Sequence, residues 1–406
     1  MPAGYDPLLF QIEDIDPVAT DRRTERLFRG EPYDPIGIRI GSFVYFPESE
    51  LSGVATSNVL RSPVPSDDVY AEIISNSRLV SDWKAHALEF RMRNGYSFHD
   101  EFPTEDDKAY TLEARGRLDV TKRTNVQGLI ARDQRQEGRG AIDAASAGER
   151  PDVTTDQANI TLNHRFNRLS VQLRGAVTDL KYSDITGGLL PSINSDRDSV
   201  TTEQAVRATW ELKPTLSVFA EEEINQRAFD KPSQGDLIVR DSTGTRTRLG
   251  LDFGETGAIL RGEVSLGYGT QTPDDARLDE ATAFLVDGNL AWRLSDLTSL
   301  LFTAQTDIFD TNTTGSGTVP SHQVGIEARH AFRKYLIGSA GVTYTTRDYD
   351  GIPLKESELR STIGAEYFVN REIILFGRYE HIAFESNQLA GDYHSDDVRL
   401  GVRVRR

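Results

Sequence analysis

Three observations predict an all-β chain closed into a single transmembrane, antiparallel up-and-down β-barrel of about 18 strands. From about residue 36 onward, apolar or small residues occupy one parity and charged or amide residues the other, in stretch after stretch. Short and long polar connections alternate between those stretches. No apolar run is long enough for a transmembrane helix, and only 37% of the residues are hydrophobic. A mean hydropathy of -0.46 suits a barrel, in which half of each strand faces water. Soluble sandwiches alternate too, but so many strands with nothing to cover the second face read better as a cylinder in lipid.

The first 35 residues stand apart. They are rich in Asp, Arg and Pro and hold only one short apolar run, Leu8 to Ile12. An extended periplasmic tail is expected over 1–35, with plugging of the lumen or docking on a partner as alternatives. Met1-Pro2-Ala3-Gly4-Tyr5-Asp6 has neither the basic start nor the apolar core of a signal peptide, so a mature form with an added start residue is expected.

The barrel is expected over 36–406. If Ile38 to Asn58 is one strand interrupted at Pro47, the count is about 18, an even number as single-chain bacterial barrels require; other readings give about 16 or 20. In Leu169 to Thr178, Leu169, Val171, Leu173, Gly175 and Val177 share one face, and Ser170, Gln172, Arg174 and Thr178 the other. Short turns fall near Ser81-Asp82, Lys122-Arg123, Asn167-Arg168, Lys213-Pro214, Glu255-Thr256, Ser295-Asp296, Lys334-Tyr335 and Asn370-Arg371. Longer connections lie near 99–107, 137–154, 184–200, 228–240, 270–280, 309–321, 347–356 and 386–394. In bacterial barrels the short side is periplasmic. A two-residue turn at Glu255-Thr256 would pair Gly254 with Gly257, Arg248 with Glu263 and Gly250 with Arg261.

The apolar parity, with Phe90, Leu112, Ile160, Val206, Leu266, Phe284 and Ile363, is expected to face lipid. Trp210, Trp292, Phe332 and Tyr367 each precede a short turn, the place of a membrane-interface aromatic girdle. The charged parity must then face inward. Its expected pore-lining residues are Arg91, Arg93, Glu113, Arg115, Arg117, Arg174, Arg207, Glu221, Glu223, Arg248, Arg261, Glu263, Glu327, Arg329, Arg360, Glu366, Arg378 and Glu380. Such a wall either surrounds an aqueous pore, the default for so many strands, or partly blocks it with its own ion pairs.

With 63 acidic against 46 basic residues, the net charge of -17 argues against nucleic acid as a partner. The absence of cysteine removes disulfides, thiol catalysis and Cys-based metal sites. The acidic runs Asp100 to Asp107 and Asp274 to Glu280 fall in long connections and read as solvated charge, the alternative being a cation-attracting mouth. Asp348-Tyr349-Asp350-Gly351 is only a fragment of a calcium loop. The seven histidines show no metal-pair spacing, and neither a nucleophile elbow nor a phosphate-binding Gly-rich loop is present. No catalytic residue, metal or cofactor is therefore expected, and the chain is not read as an enzyme.

The segment Pro35-Ile36-Gly37-Ile38-Arg39-Ile40-Gly41-Ser42-Phe43-Val44-Tyr45-Phe46-Pro47-Glu48, followed by Thr56-Ser57-Asn58-Val59, resembles the opening of an alphaproteobacterial outer-membrane family of beta-barrel porins of a second type. Ser57-Asn58 stands where members tend to have Asp-Asn, and Arg405-Arg406 ends the chain where outer-membrane proteins usually end on an aromatic. The resemblance implies the outer membrane of a Gram-negative cell and frequent association with export of extracellular polysaccharide. Expected partners are outer-membrane lipid and lipopolysaccharide, the barrel-assembly machinery, and polysaccharide or periplasmic export components. The leading expectation is a porin-like conduit for hydrophilic solutes or an accessory of polysaccharide export. The alternatives are a plugged structural barrel whose tail contacts the cell wall or a periplasmic partner, a soluble secreted β protein and, less favoured, an outer-membrane enzyme with a Ser-His dyad assembled across strands.

Overall fold

A computed structural model describes residues 33–144, 148–186, 192–254, 259–389 and 391–406. The strands follow the alternating segments in order: β1 (Ile38–Ile40), β2 (Phe43–Thr56), β3 (Asp68–Ser81), β4 (Ala87–His99), β5 (Lys108–Thr121), β6 (Thr124–Gln136), β7 (Asp152–Arg165), β8 (Leu169–Tyr182), β9 (Ser199–Lys213) and β10 (Leu216–Phe229). They continue as β11 (Ser242–Phe253), β12 (Leu260–Pro273), β13 (Ala281–Arg293), β14 (Thr298–Asp310), β15 (Thr318–Arg333), β16 (Leu336–Asp348), β17 (Lys355–Phe368), β18 (Ile373–Ser386) and β19 (Tyr393–Arg405). Each of β2 to β19 pairs antiparallel with its sequence neighbour, and β19 returns to β2 from Asp397↔Thr56 to Arg405↔Glu48. The result is a closed cylinder of 18 strands with no edge. Within the described residues, the expected short turns lie on one rim and the long connections on the other.

The start of the barrel differs from expectation. Ile38 to Asn58 is not one strand: Gly41 turns the chain at φ 60°, and β1 folds back on β2 with Ile38↔Tyr45 and Ile40↔Phe43. Gly37, at φ 75°, can only be glycine, since a Cβ there would meet Val44 at 2.5 Å and the Phe46 ring at 2.7 Å. Because β1 is three residues long, it adds no crossing and the count stays at 18. Pro47 does not interrupt β2 either. Its carbonyl accepts the Arg406 amide at 3.1 Å, one position beyond the last register pair Arg405↔Glu48, so the proline lies at the margin of the β2–β19 ladder, where a missing donor is tolerated.

A second correction concerns the β11–β12 hairpin. The proposed Glu255-Thr256 turn lies outside the described residues, but the flanking strands pair as Asp252↔Glu263, Leu251↔Val264, Gly250↔Ser265 and Arg248↔Gly267. The expected Arg248–Glu263 and Gly250–Arg261 pairs are each displaced by four positions. An even displacement keeps every side chain on its face, so the assignment of sides survives the wrong register.

The outer face carries exposed apolar side chains from end to end, among them Phe90, Ile160, Val206, Leu266, Phe284 and Ile363. Trp210, Trp292, Phe332 and Tyr367 are all exposed within four residues of the short-turn rim. A second ring escaped the sequence reading. Tyr96, Tyr268, Phe284 and Tyr344 each lie eight residues along their strand from the short-turn level set by Leu88, Leu260, Trp292 and Leu336. At about 3.4 Å per residue and a tilt of about 40°, the rings are roughly 21 Å apart along the barrel axis, close to the apolar band of an outer-membrane barrel.

The tail over residues 1–32 lies outside the described residues. At its end, Arg405 Nη2 donates to the Tyr33 carbonyl at 2.8 Å and the Tyr33 ring stacks on Phe368 at 5.3 Å, which brings the chain onto the short-turn rim.

Closure of the seam makes a direct prediction. Val402 faces Leu51 across it and Leu375 on its other side. Val402→Pro should remove a ladder donor between two partners and abolish the compact, heat-modifiable band on an unheated gel, while Val402→Ala should retain it.

Candidate functional site: the inner wall and the mouth

Ion pairs that jump strands identify the inner face. Arg227 on β10 reaches β14, donating to the Ile308 carbonyl and to Asp310, both at 2.7 Å. Arg207 on β9 reaches Glu263 on β12 at 2.7 Å, and Arg403 on β19 reaches Glu366 on β17 at 2.8 Å. Only the interior of a cylinder allows such chords. Every residue named above as pore-lining shares this parity.

The densest part of the lattice surrounds two buried carboxylates on β10. Glu223 is held by Arg174 at 2.8 Å, Arg246 at 3.0 Å and Arg248 at 3.8 Å. Glu221 lies 3.5 Å from Arg248, 3.6 Å from Arg174 and 3.9 Å from Arg207. Arg248 also bonds Asp287 at 2.8 Å, and the Arg207 guanidinium stacks 3.5 Å above the Phe219 ring. Elsewhere the pairs are more local: Arg91 with Glu89 at 2.5 Å, Arg115 with Glu113 at 3.1 Å, and Arg117 with Asp119 at 2.9 Å. Arg360 joins Glu358 at 2.8 Å and Glu380 at 3.0 Å, and Arg329 lies 3.8 Å from Glu327 and 3.6 Å from Glu366. Arg93 and Arg378 are exposed on the same wall and have no ion pair among the described residues. Arg227 and Arg246 belong to the lattice but were not singled out from sequence, although the parity that found Arg248 also finds them.

Lysine is missing from the middle of this wall. The eight lysines lie in turns, at strand ends or, for Lys181, on the outer face. An ammonium is a compact, strongly hydrated charge, whereas a guanidinium presents five N–H donors in a planar fork that can serve two or three carboxylates at once.

At the long-loop rim, the connection from β6 to β7 leaves the wall and crosses the mouth. Its near end is clamped by charge: Arg139 and Arg150 both bond Glu105, the latter at 3.3 Å, and Arg197 bonds Glu137 at 2.5 Å. Glu105 is 4% exposed, so this member of its acidic run is a socket for the loop, whereas Asp100 and Glu101 are exposed as solvated charge. The far end meets β16 and its neighbours, ten strands away in a ring of 18 and therefore nearly opposite. There Arg347 donates to the Gly140 carbonyl at 3.2 Å. Gly140 is pressed so close that a Cβ would lie 3.2 Å from the Tyr393 hydroxyl and 3.5 Å from Arg61.

Asp143 ties this strut to the β14–β15 loop. It accepts the hydroxyls of Thr311 at 2.6 Å and Thr313 at 3.0 Å and the amide of Asn312 at 2.7 Å, from a left-handed backbone at φ 62°. Ile142 packs beside it on Val319, Tyr349 and Leu354. Burial, with Glu356 alongside, pushes the Tyr349 phenol above its ordinary value and keeps it a proton donor to Glu356 at 3.3 Å. The fragment that resembled a calcium loop is used otherwise: Asp348 pairs with Lys355 at 2.6 Å, and Asp350 accepts the Thr318 hydroxyl at 3.1 Å.

The β14–β15 tip itself leans inward. Pairing of β13 with β14 stops at Gly288↔Ala304, and beyond it Ala281, Ala283, Leu285 and Ile308 form a small buried cluster. Arg240 holds the tip, donating to the carbonyls of Thr311 at 2.6 Å, Ser316 at 3.1 Å and Thr313 at 3.3 Å. An inner wall of paired charge and a mouth spanned by interlocked loops are thus parts of one structure.

The sequence pattern of the family described as "Putative beta-barrel porin 2" matches residues 31–406, and the chain belongs to that family. No curated protein sequence matches it. Among solved structures, it is similar to the outer membrane protein opdK from Pseudomonas aeruginosa, with a TM-score of 0.45 and 12% identity over 89% of this chain and 98% of that one. It is also similar to a BenF-like porin from Pseudomonas fluorescens Pf-5, with a TM-score of 0.46 and 10% identity over 89% and 99%. The copper transporter OprC gives 0.47 and 8% over 92% and 82%.

The lattice can be tested through its hub. Glu223→Gln leaves three arginines facing a neutral amide and should destabilise the barrel by about 3 kcal/mol, as removal of one partner from a buried ion pair does. Urea unfolding followed by tryptophan fluorescence measures it.

Proposed function

We propose that this outer-membrane porin is a narrowed conduit, in which hydrophilic solutes pass around the strut at the mouth and then along the charged wall. The observation that carries this reading is the loop from β6 that crosses to β16. The 18-strand circumference alone would leave a wide aqueous lumen. With the strut anchored by Glu105 and Arg347 at opposite sides, the opening is divided, and small solutes fit it better than an unbranched wide pore would suggest. The pore-lining role belongs in this reading to the Arg and Glu lattice, with Arg93 and Arg378 as the cations free to meet a solute.

Polysaccharide export fits the same barrel only with the strut displaced, because a polymer needs a continuous passage. The strut favours a conduit for small solutes over an accessory of export.

Planar-bilayer recording tests the proposal. The wild-type protein should give small conductance steps. Removal of the anchors by Asp143→Ala with Arg347→Ala should raise the single-channel conductance about two-fold or make it fluctuate. Absence of steps in both proteins would overturn the conduit, and equal steps would overturn the narrowing by the strut.

A further inference from the structure

The outer face holds a feature that solute passage does not use. An open groove of about 700 Å³ runs obliquely across β2 to β8 between two adjacent cross-strand rows of side chains. Its lower row is a continuous register line of Leu79, Phe90, Ala114, Ile130, Ala158 and Val177. The alanines alternate with bulky neighbours and make the floor. The groove begins near the short-turn end of β2 and climbs toward the long-loop end of β8, so it traverses the apolar band and does not merely dent it.

Its upper end is charged. Leu112, Arg132, Asp156 and Asp179 form the second row, in which Arg132 bonds Asp156 through two contacts of 2.6 Å and Asp179 bonds Lys181 at 2.8 Å. All four charges point outward, and Arg132 and Lys181 are more than half exposed. Charge on a lipid-facing strand is costly at mid-bilayer and tolerated only near headgroups. Arg132 lies eight residues beyond Thr124, the level at which β4, β12, β13 and β16 carry Tyr96, Tyr268, Phe284 and Tyr344. In this sector, therefore, ion pairs replace the aromatic girdle, directly above an apolar furrow.

We propose that this furrow is a binding site for a phosphate-bearing membrane lipid, with an acyl chain lying along Phe90, Ala114, Ile130 and Ala158 and the phosphate at Arg132 and Lys181. The donor inventory suits it. Asp156 takes two of the five N–H donors of Arg132, and Asp179 takes one of the three on Lys181, which leaves donors of both residues for phosphate oxygens. The carboxylates fix the cations in place at the upper end of the furrow. The site is independent of the conduit reading, because none of these side chains faces the lumen.

Native mass spectrometry of the full chain in detergent tests it, with dipalmitoyl phosphatidic acid and dipalmitoylglycerol as probes. The wild type should retain phosphatidic acid at least ten-fold more strongly than the diacylglycerol. Arg132→Gln with Lys181→Gln should remove that preference, whereas Ala114→Trp with Ala158→Trp, which fills the floor, should weaken both lipids about ten-fold. Ala158→Leu serves as a milder filling variant, and the heat-modifiable band confirms folding of each. Equal retention of the two lipids by the wild type, or unchanged retention in the filled variants, would overturn the proposal. Bilayer conductance should stay at the wild-type value throughout, so a failed lipid site and a failed conduit give different results.

Discussion

The whole structure depends on one constraint: the ladder must close. In hydrocarbon no water satisfies an unpaired N–H or C=O, so an open sheet edge is not a stable option. The pairing of β19 with β2 removes the last edge, and it does so with the final residues of the chain, down to Arg406 on the Pro47 carbonyl. Once the cylinder closes, a strand has only two directions for its side chains. Everything charged at the wrong parity would sit in lipid; everything charged at the right parity is forced together inside.

That confinement explains why the inner cations are arginines. Glu221 and Glu223 are each approached by three guanidinium groups from two or three different strands. Holding two carboxylates two residues apart on one strand requires partners that share their donors, which the planar fork does and the ammonium does not. The same device serves the mouth, where Arg240 gathers three carbonyls of one loop and Arg139 and Arg150 meet on one buried glutamate. Cross-bracing by arginine thus stiffens both the wall and the loops that lean into it.

What was legible in the sequence follows from the same geometry. Parity is a local property of each strand, so the faces, the short-turn aromatics Trp210, Trp292, Phe332 and Tyr367, and the sides of Arg248 and Glu263 are readable from neighbours alone. Register is not local. The β11–β12 pairing is displaced by four residues, with β11 ending at Phe253 and β12 beginning at Leu260, and an alternating pattern looks the same after any even shift. Pro47 misled because a proline usually marks a break; the end of β19 beside it cannot be seen from β2. The upper aromatic ring was missed because strands run past it, leaving no turn to mark its level. The strut was least legible of all: Asp143 and Thr311 are 168 residues apart, and nothing in either segment announces the other.

The two faces meet solvent by opposite routes, and this sets where discrimination can reside. On the inner wall most carboxylates are already neutralised by arginines, so the wall presents alternating charge of both signs and little net field of its own. A wall of that kind discourages apolar solutes while giving weak preference between small anions and cations. The constriction, in contrast, lies at the mouth, where Gly140 lies against Tyr393 and Arg347 holds its carbonyl. On the proposed reading, discrimination by dimension would precede discrimination by charge along the path from the long-loop rim inward. Arg93 and Arg378, without an ion pair among the described residues, lie on the wall below the strut, where on that reading a solute entering from the long-loop rim would meet them.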